Sequence, residues 1–153
     1  DGKILVNGIG LIRLNNDGTV EKNFGKFSDG GYGQSICIYK DGSILIGGAY
    51  RTVNSKSIVT IIKLNRDGDL DSSFNCDVEV YGDNVLLDSM ENIFASTKHT
   101  NVMLSNYGLI SMINKDGTKK KSFNGSSGAS HKVKTILPTI NNKIIIAGNF
   151  INP

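Results

Sequence analysis

The chain has 153 residues, 39% hydrophobic and 20% charged, with 18 Gly, 2 Pro and no Trp; that is one domain's worth of sequence, and clusters such as Ile144-Ile145-Ile146 are too apolar for a disordered chain. The 17 basic and 14 acidic residues leave a net charge of +3, too slight and too scattered to argue for a nucleic-acid partner. No stretch approaches the roughly 20 apolar residues of a bilayer-crossing helix, so no membrane insertion is expected, and Asp1-Gly2-Lys3 lacks the order of a signal peptide.

Two short elements alternate along the chain. The first is Asp1-Gly2-Lys3-Ile4-Leu5-Val6-Asn7-Gly8, which returns as Asp41-Gly42-Ser43-Ile44-Leu45-Ile46-Gly47-Gly48 and, more altered, as Glu91-Asn92-Ile93-Phe94-Ala95 and Asn142-Lys143-Ile144-Ile145-Ile146-Ala147-Gly148. Ile4, Ile44, Ile93 and Ile144 mark its phase with steps of 40, 49 and 51 residues. The short first step means that the loop after Gly8 lacks about ten residues carried by the second copy at Arg51 to Ser57. The second element is Leu14-Asn15-Asn16-Asp17-Gly18, repeated as Leu64-Asn65-Arg66-Asp67-Gly68 and Ile113-Asn114-Lys115-Asp116-Gly117 at steps of 50 and 49. A phenylalanine follows each at the same distance, namely Phe24, Phe74 and Phe123. Repetition at a period near 50 residues is the signature of a repeat architecture.

Each unit reads as strands. Ser35-Ile36-Cys37-Ile38-Tyr39 alternates with a period of two, stops at Asp41-Gly42, and is followed by Ile44-Leu45-Ile46, apolar on both faces, which is a hairpin. Asp-Gly suits such a turn because both of its central positions often take positive φ. After a polar loop comes Ile58 to Leu64, rich in β-branched residues, then a second turn and a short outer stretch closed by the phenylalanine. No window shows sustained spacing at 3.6 residues with caps, so little or no helix is expected.

The expected fold class is therefore all-β: a β-propeller-like array of antiparallel blades of about 50 residues, because a small sheet of three or four strands cannot bury both faces alone and stacks on its neighbours. Residues 1–153 form a single segment of a repeat domain, with units of approximately 1–33, 34–82, 83–130 and a partial 131–153. Ile36 with Ile38, and Val85 with Leu87, are expected to face one neighbour; Gly47-Gly48 and Gly148 would let backbones approach near an axis. The equal spacing expects the turns at Asp17-Gly18, Asp67-Gly68 and Asp116-Gly117 to be equivalent and Phe24, Phe74 and Phe123 to fill equivalent gaps. Closed propellers typically need at least four blades and the chain holds about three, so the expected partners are further repeats of the same protein or other subunits.

These residues resemble the delta-sixty repeat proteins, bacterial and phage sequences whose repeat is similar to Asp-Gly-Lys-Ile-Leu-x-Gly-Gly-x-Phe, then a loop, then Arg-Leu-Asn-x-Asp-Gly-x-Leu-Asp-x-Ser-Phe-Asn. The second unit matches best, with Asp41 to Tyr50 reading Asp-Gly-Ser-Ile-Leu-Ile-Gly-Gly-Ala-Tyr and Leu64 to Asn75 reading Leu-Asn-Arg-Asp-Gly-Asp-Leu-Asp-Ser-Ser-Phe-Asn. The third departs, with Glu91-Asn92 for Asp-Gly. The resemblance implies a repeat platform that is extracellular, on a virion or on a cell surface, and supplies no catalytic residues to carry over.

No constellation for catalysis is visible. Asp67-x-Asp69-x-Asp71 has the alternate acidic spacing of a calcium loop, but Ser72 and Val78 stand where such a loop needs Gly and Glu, so turn chemistry is the better reading. Gly30-Gly31-Tyr32-Gly33 has neither the Lys nor the following helix of a phosphate loop and reads as a loop between units. His99 and His131 have no second ligand or nucleophile at useful spacing, and Cys37 and Cys76, 39 residues apart, form no metal or redox motif. Lys119-Lys120-Lys121 reads as solvated turn or edge residues, and Asn124-Gly125-Ser126 fits a glycosylation acceptor, relevant only in a eukaryotic secretory setting. The Ile, Asn and Lys bias suggests an A/T-rich genome. No catalytic, cofactor-binding or metal-ligating residues are therefore expected.

The expected function is a non-enzymatic structural and binding module of a phage tail, virion or bacterial surface, with receptor or glycan recognition on variable loops at Tyr50 to Ser57 and Lys98 to Asn106. Its candidate contacts are Tyr32, Tyr50, Arg51, His99 and Tyr107, the tyrosines supplying stacking faces. A propeller-type glycan hydrolase or lyase would need clustered carboxylates or a Tyr/His pair on one face, and a purely structural assembly element would expose unpaired blade faces at both ends.

Overall fold

The computed structural model describes residues 2–8, 10–22, 24–25, 32–53, 56–78, 82–96, 110–123, 133–139, 141 and 143–148, with the backbone alone for 49–53 and 56–60. β1 (Ile4–Gly8) pairs with β2 (Gly10–Leu14), and β3 (Tyr32–Ile38), β4 (Ile44–Val53) and β5 (Lys56–Leu64) form a second sheet in that order. β6 (Asn84–Leu87), β7 (Ile93–Ser96) and β8 (Ile110–Ile113) form a third, and β9 (Val133–Pro138) pairs with β10 (Ile144–Gly148). All pairings are antiparallel, and no helix occurs among the described residues. The fold is all-β.

The registers make the sheets copies of one another. Ile4 pairs with Leu14, Ile44 with Leu64 and Ile93 with Ile113, so β1, β4 and β7 are one strand repeated. Ile38 pairs with Ile44, Leu87 with Ile93 and Pro138 with Ile144, which puts β10 in the same series. The second and third sheets show three strands of the unit, the first its last two and the fourth its first two. Among the described residues, a fourth strand of the first three units is seen as one bridging residue each, Val20 on Leu14, Leu70 on Leu64 and Lys119 on Ile113.

One turn geometry recurs in the hairpins of the first three sheets. Asn15 N–H donates to Thr19 O at 2.8 Å and Gly18 N–H to Asn15 O at 2.9 Å; Asn65, Gly68 and Asp69, then Asn114, Gly117 and Thr118, repeat both bonds. Tyr39, Gly42 and Ser43 do the same in the other hairpin. This is a type I turn followed by one left-handed residue, so only the Gly has positive φ: +82° at Gly18, +86° at Gly42, +93° at Gly68 and +97° at Gly117. The Asp before it stays at negative φ, which corrects the expectation that both positions are left-handed. Its role is to accept hydrogen bonds: Asp17, Asp41 and Asp116 each take the N–H and the hydroxyl of the residue two further on, Thr19, Ser43 and Thr118, through Oδ1.

The third unit keeps this geometry with different residues. Glu91, at φ +62°, stands in the place of Gly42 and Asn92 in that of Ser43, so the pairing of Glu91-Asn92 with Asp-Gly is one residue out of register. Asp88 compensates, its Oδ1 accepting the N–H groups of Met90 and Asn92 at 2.9 and 2.8 Å and its Oδ2 the Asn92 side-chain amide at 2.7 Å.

Period-two alternation sends successive side chains of each sheet to opposite neighbours. Between the first and second sheets, Leu11 and Phe24 pack with Ile44, Ile46, Ile62 and Leu64. Between the second and third, Tyr39, Leu45, Ile61 and Val78 meet Val85, Ile93, Ala95 and Ile113, with Phe74 packed against them. Between the third and fourth, Leu86, Phe94 and Ile110 meet Val133 and Ile136, with Phe123 edge-on to Phe94 at 5.8 Å. Each of the three phenylalanines thus lies in the gap between its own sheet and the next. Phe24 is buried, whereas Phe74 and Phe123 are half-buried. Ile36 and Val85 occupy equivalent places, but their companions diverge: Leu87 packs against the core between the second and third sheets, while Ile38 is 61% exposed.

Gly47 sits where a Cβ would run into the Gly82 carbonyl oxygen, so the second and third sheets approach through backbone there. Two stretches expected as loops are strand. Tyr32 and Gly33 open β3, paired with Ala49 and Gly48. Tyr50 to Val53 continue β4, with Tyr50 opposite Val59 and Val53 opposite Lys56, because a run with Tyr, Thr and Val satisfies its backbone in a ladder despite its polar side chains.

Candidate functional site

The most built feature is the seam where the turn of one unit meets the chain leaving the previous one. A Cβ on Gly68 would fall 2.8 Å from the Phe24 ring and from the Gly25 nitrogen, and one on Gly117 would fall 2.5 Å from the Asn75 carbonyl. The two seams are equivalent, since Gly25 and Asn75 each follow the unit's phenylalanine. At the second, Asn75 N–H donates to Asp116 O at 2.8 Å, Asp77 N–H to Gly117 O at 3.3 Å, and Lys119 N–H to Asp77 Oδ1 at 2.7 Å. Further bonds cross between neighbouring units: Lys40 N–H to Glu91 Oε1 at 2.7 Å, Cys37 Sγ–H to Val85 O at 3.0 Å and Asn84 Nδ2–H to Lys134 O at 3.2 Å.

The first seam carries the densest charge. The Arg13 guanidinium lies over the Phe24 ring at 3.9 Å, donates to Glu21 at 2.6 and 2.8 Å, and reaches Arg66 O in the next unit at 2.5 Å. Lys3 adds an ion pair to Glu21 at 2.8 Å. The hydrogen bonds from Arg13 first, and from Lys3 second, hold the Glu21 carboxyl down at about 2. Beside this network, Lys3, Leu5, Arg13, Ile38, Ile44 and Arg66 line a cleft of about 330 Å³ between the first two sheets. Leu5, Ile38 and Ile44 form its apolar wall and Lys3, Arg13 and Arg66 its basic rim, with Lys3 and Arg13 both held on Glu21. Sequence reasoning missed it because Arg13 and Glu21 come together only through the bridge of Leu14 to Val20.

The candidate contacts are not gathered by the described structure. Tyr32 is exposed at the start of β3. Tyr50 and Arg51 lie in the far half of β4, backbone only, and His99 and Tyr107 lie outside the described residues, as do His131 and the Asn124-Gly125-Ser126 motif. In the acidic run of Asp67, Asp69 and Asp71, the last two carboxylates have local partners. Asp71 accepts from Ser73 and pairs with Lys63 at 3.1 Å, which lowers its pKa, the serine bond contributing most. Asp69 takes the Asn65 amide at 3.4 Å. No cluster of three metal-ligating side chains occurs among the described residues. Burial pushes the Tyr39 phenol and the Cys37 thiol above their ordinary values, as expected of core groups.

A family model described as "Domain of unknown function (DUF5122) beta-propeller" matches residues 40–74. That span runs from the β3–β4 turn through β4, β5 and the Asp67-Gly68 turn to Phe74, the stretch in which both repeated elements are least altered. It supports a propeller-like repeat family, and the sheets are propeller-like blades, two shown with three strands and two with two. No curated protein matches the chain.

Proposed function

We propose that the chain is a non-enzymatic structural and binding module of the delta-sixty repeat type, acting on a phage tail, a virion or a bacterial surface and presenting a variable hairpin to a receptor or glycan. One observation carries this reading. β1 and β2 turn back between Gly8 and Gly10, whereas the equivalent β4 and β5 stay paired out to Val53 and Lys56, so the second hairpin carries its ladder beyond the frame that the two share. Binding residues are commonly carried on such extensions from a fixed scaffold, and Tyr50 and Arg51 lie on this one with a stacking ring and a cation to offer. Asp17, Asp41, Asp88 and Asp116 use their carboxylates within their own turns, which favours recognition over hydrolysis. Glycan-array and host-cell binding by the chain tests the reading: Tyr50→Ala with Arg51→Ala should abolish binding while leaving the folded β signal intact, and undiminished binding would remove the hairpin from it.

A further inference from the structure

Asp17-Gly18, Asp41-Gly42, Asp67-Gly68 and Asp116-Gly117 stand in the same turn, and in three of them the carboxylate is held. Asp17, Asp41 and Asp116 each accept, through Oδ1, the N–H and the hydroxyl of Thr19, Ser43 or Thr118 at 2.6 to 3.0 Å. Two residues beyond Asp67 stands Asp69, which has no hydroxyl to give. Its N–H donates instead to Asn65 Oδ1 at 2.8 Å, and the same oxygen takes the N–H of Asp67 at 3.0 Å. This turn is therefore closed through Asn65, and among the described residues the exposed Asp67 carboxylate accepts no hydrogen bond. Arg13, whose charge reaches it, donates to Glu21 and to the Arg66 carbonyl.

We propose that Asp67-Gly68 is a site of spontaneous backbone modification, the conversion of Asp67 to isoaspartate, and that the hydrogen bonds on the other three aspartates protect them from it. In the first step the Gly68 amide nitrogen attacks Cγ of Asp67. An N–Cγ bond forms, a Cγ–O bond breaks, and the carboxyl hydroxyl leaves with the amide proton as water, closing a succinimide ring. Water then adds to the Asp67 main-chain carbonyl carbon, whose bond to the Gly68 nitrogen breaks, so that the chain runs on through Cβ and Cγ. The net composition is unchanged, and no oxidant or reductant is needed. Glycine after the aspartate leaves the attacking nitrogen unhindered, since it has no Cβ. Ring closure needs the carboxyl to swing onto that nitrogen. At Asp17, Asp41 and Asp116 this gives up two charge-assisted hydrogen bonds, whereas at Asp67 it gives up none. The bonds from Thr19, Ser43 and Thr118 also hold those three carboxyls below their ordinary pKa, which leaves less of the protonated form that loses water. The position gives the product a consequence. A Cβ on Gly68 already falls 2.8 Å from the Phe24 ring and the Gly25 nitrogen, so one more methylene in the backbone before it displaces a contact without slack and parts the first two units. Nothing here uses the Tyr50 and Arg51 hairpin, so the outcome is separate from that of the binding test.

The test is incubation of the folded chain at neutral pH in water enriched in oxygen-18, followed by peptide mapping in which electron-transfer fragmentation locates isoaspartate. Each conversion takes up one heavy oxygen, and the peptides separate these four turns from Asp29-Gly30 and Asn124-Gly125, which lie outside the described residues. Isoaspartate should accumulate at Asp67 at least about tenfold faster than at Asp17, Asp41 or Asp116, as the loss of two charge-assisted bonds on the way to the transition state requires. The same chain held unfolded in urea should convert the four at similar rates, because the protection comes from the folded turn. Two exchanges sharpen the comparison. Asp69→Thr gives the second turn the hydroxyl of the first and should bring Asp67 down to the rate of Asp17, while Thr19→Asp removes it from the first and should raise Asp17 to that of Asp67. Circular dichroism checks that both variants keep the strand content of the parent, and the folded and unfolded parent decide the matter if either does not. Equal rates at the four folded turns, a faster one than Asp67 among them, or a difference that persists in urea would overturn the proposal. So would exchanges that fold and leave both rates where they were.

Discussion

Leu45 and Ile145 occupy the same position of the same repeated strand, yet one is wholly sealed and the other is 57% exposed. The same divergence separates Ile46, fully buried, from Val6 at 41%. The local sequence does not distinguish Leu45 from Ile145, each aliphatic between two isoleucines, and Ile46 and Val6 are both aliphatic residues that follow a leucine. What differs is whether another sheet lies against that face. In a chain whose units contact only their neighbours, burial belongs to the interface and not to the residue.

Truncation should expose this contrast most strongly. Leu45→Ala opens a cavity between the second and third sheets and should cost about 2–5 kcal/mol, while Ile145→Ala should stay within about 0.5 kcal/mol, both read by urea unfolding of the monomer. Equal costs at the two positions would mean that β10 is covered like β4.

The turns permit a finer version of the same comparison. Gly18 and Gly68 share a left-handed φ, but a Cβ at Gly18 meets nothing within 4 Å, whereas one at Gly68 meets Phe24 and Gly25 of the preceding unit. Gly18→Ala should therefore lose only the backbone strain, about 1–2 kcal/mol, and Gly68→Ala clearly more, in the same unfolding assay. Gly18→Ala proving the worse would remove the seam from the account.

The smallest effect belongs to the charge network at the first seam. Glu21 titrates near 2 when folded against an ordinary 4.5, so its contribution is present above about 4.5 and fades as pH falls toward 2. Unfolding midpoints should accordingly drop over that window in the parent, and drop less in Glu21→Gln. A parallel decline in both would show that other carboxylates carry the acid sensitivity.

The repeat frame was legible because its marks are positions with little chemical choice. A left-handed turn residue next to a packed seam admits Gly, as at Gly68 and Gly117, and the gap behind it takes Phe, so both recur at fixed spacing. The frame blurred where another residue met the same demand: Glu91 holds the left-handed position with help from Asp88 four places before Asn92, which no Asp-Gly pattern reveals. The extension of β4 was read as a loop because Arg51, Thr52 and Lys56 interrupt the apolar alternation, although pairing needs only backbone. The Arg13, Glu21 and Lys3 network was invisible for a further reason, since its members meet through a single bridging residue rather than through a sequence spacing.

The central claim is that the strands repeat in one order, so that among the described residues β4 and β7 are paired along both edges while β1 and β10 are paired along one. Amide hydrogen exchange, resolved residue by residue, tests it most directly. Ile44 to Gly47 and Ile93 to Ser96 should be slow at every amide, whereas β1 and β10 should alternate, slow where the N–H faces the partner strand and fast where it faces the open edge. Uniform protection across Ile4 to Gly8, matching that of β4, would contradict the repeated order.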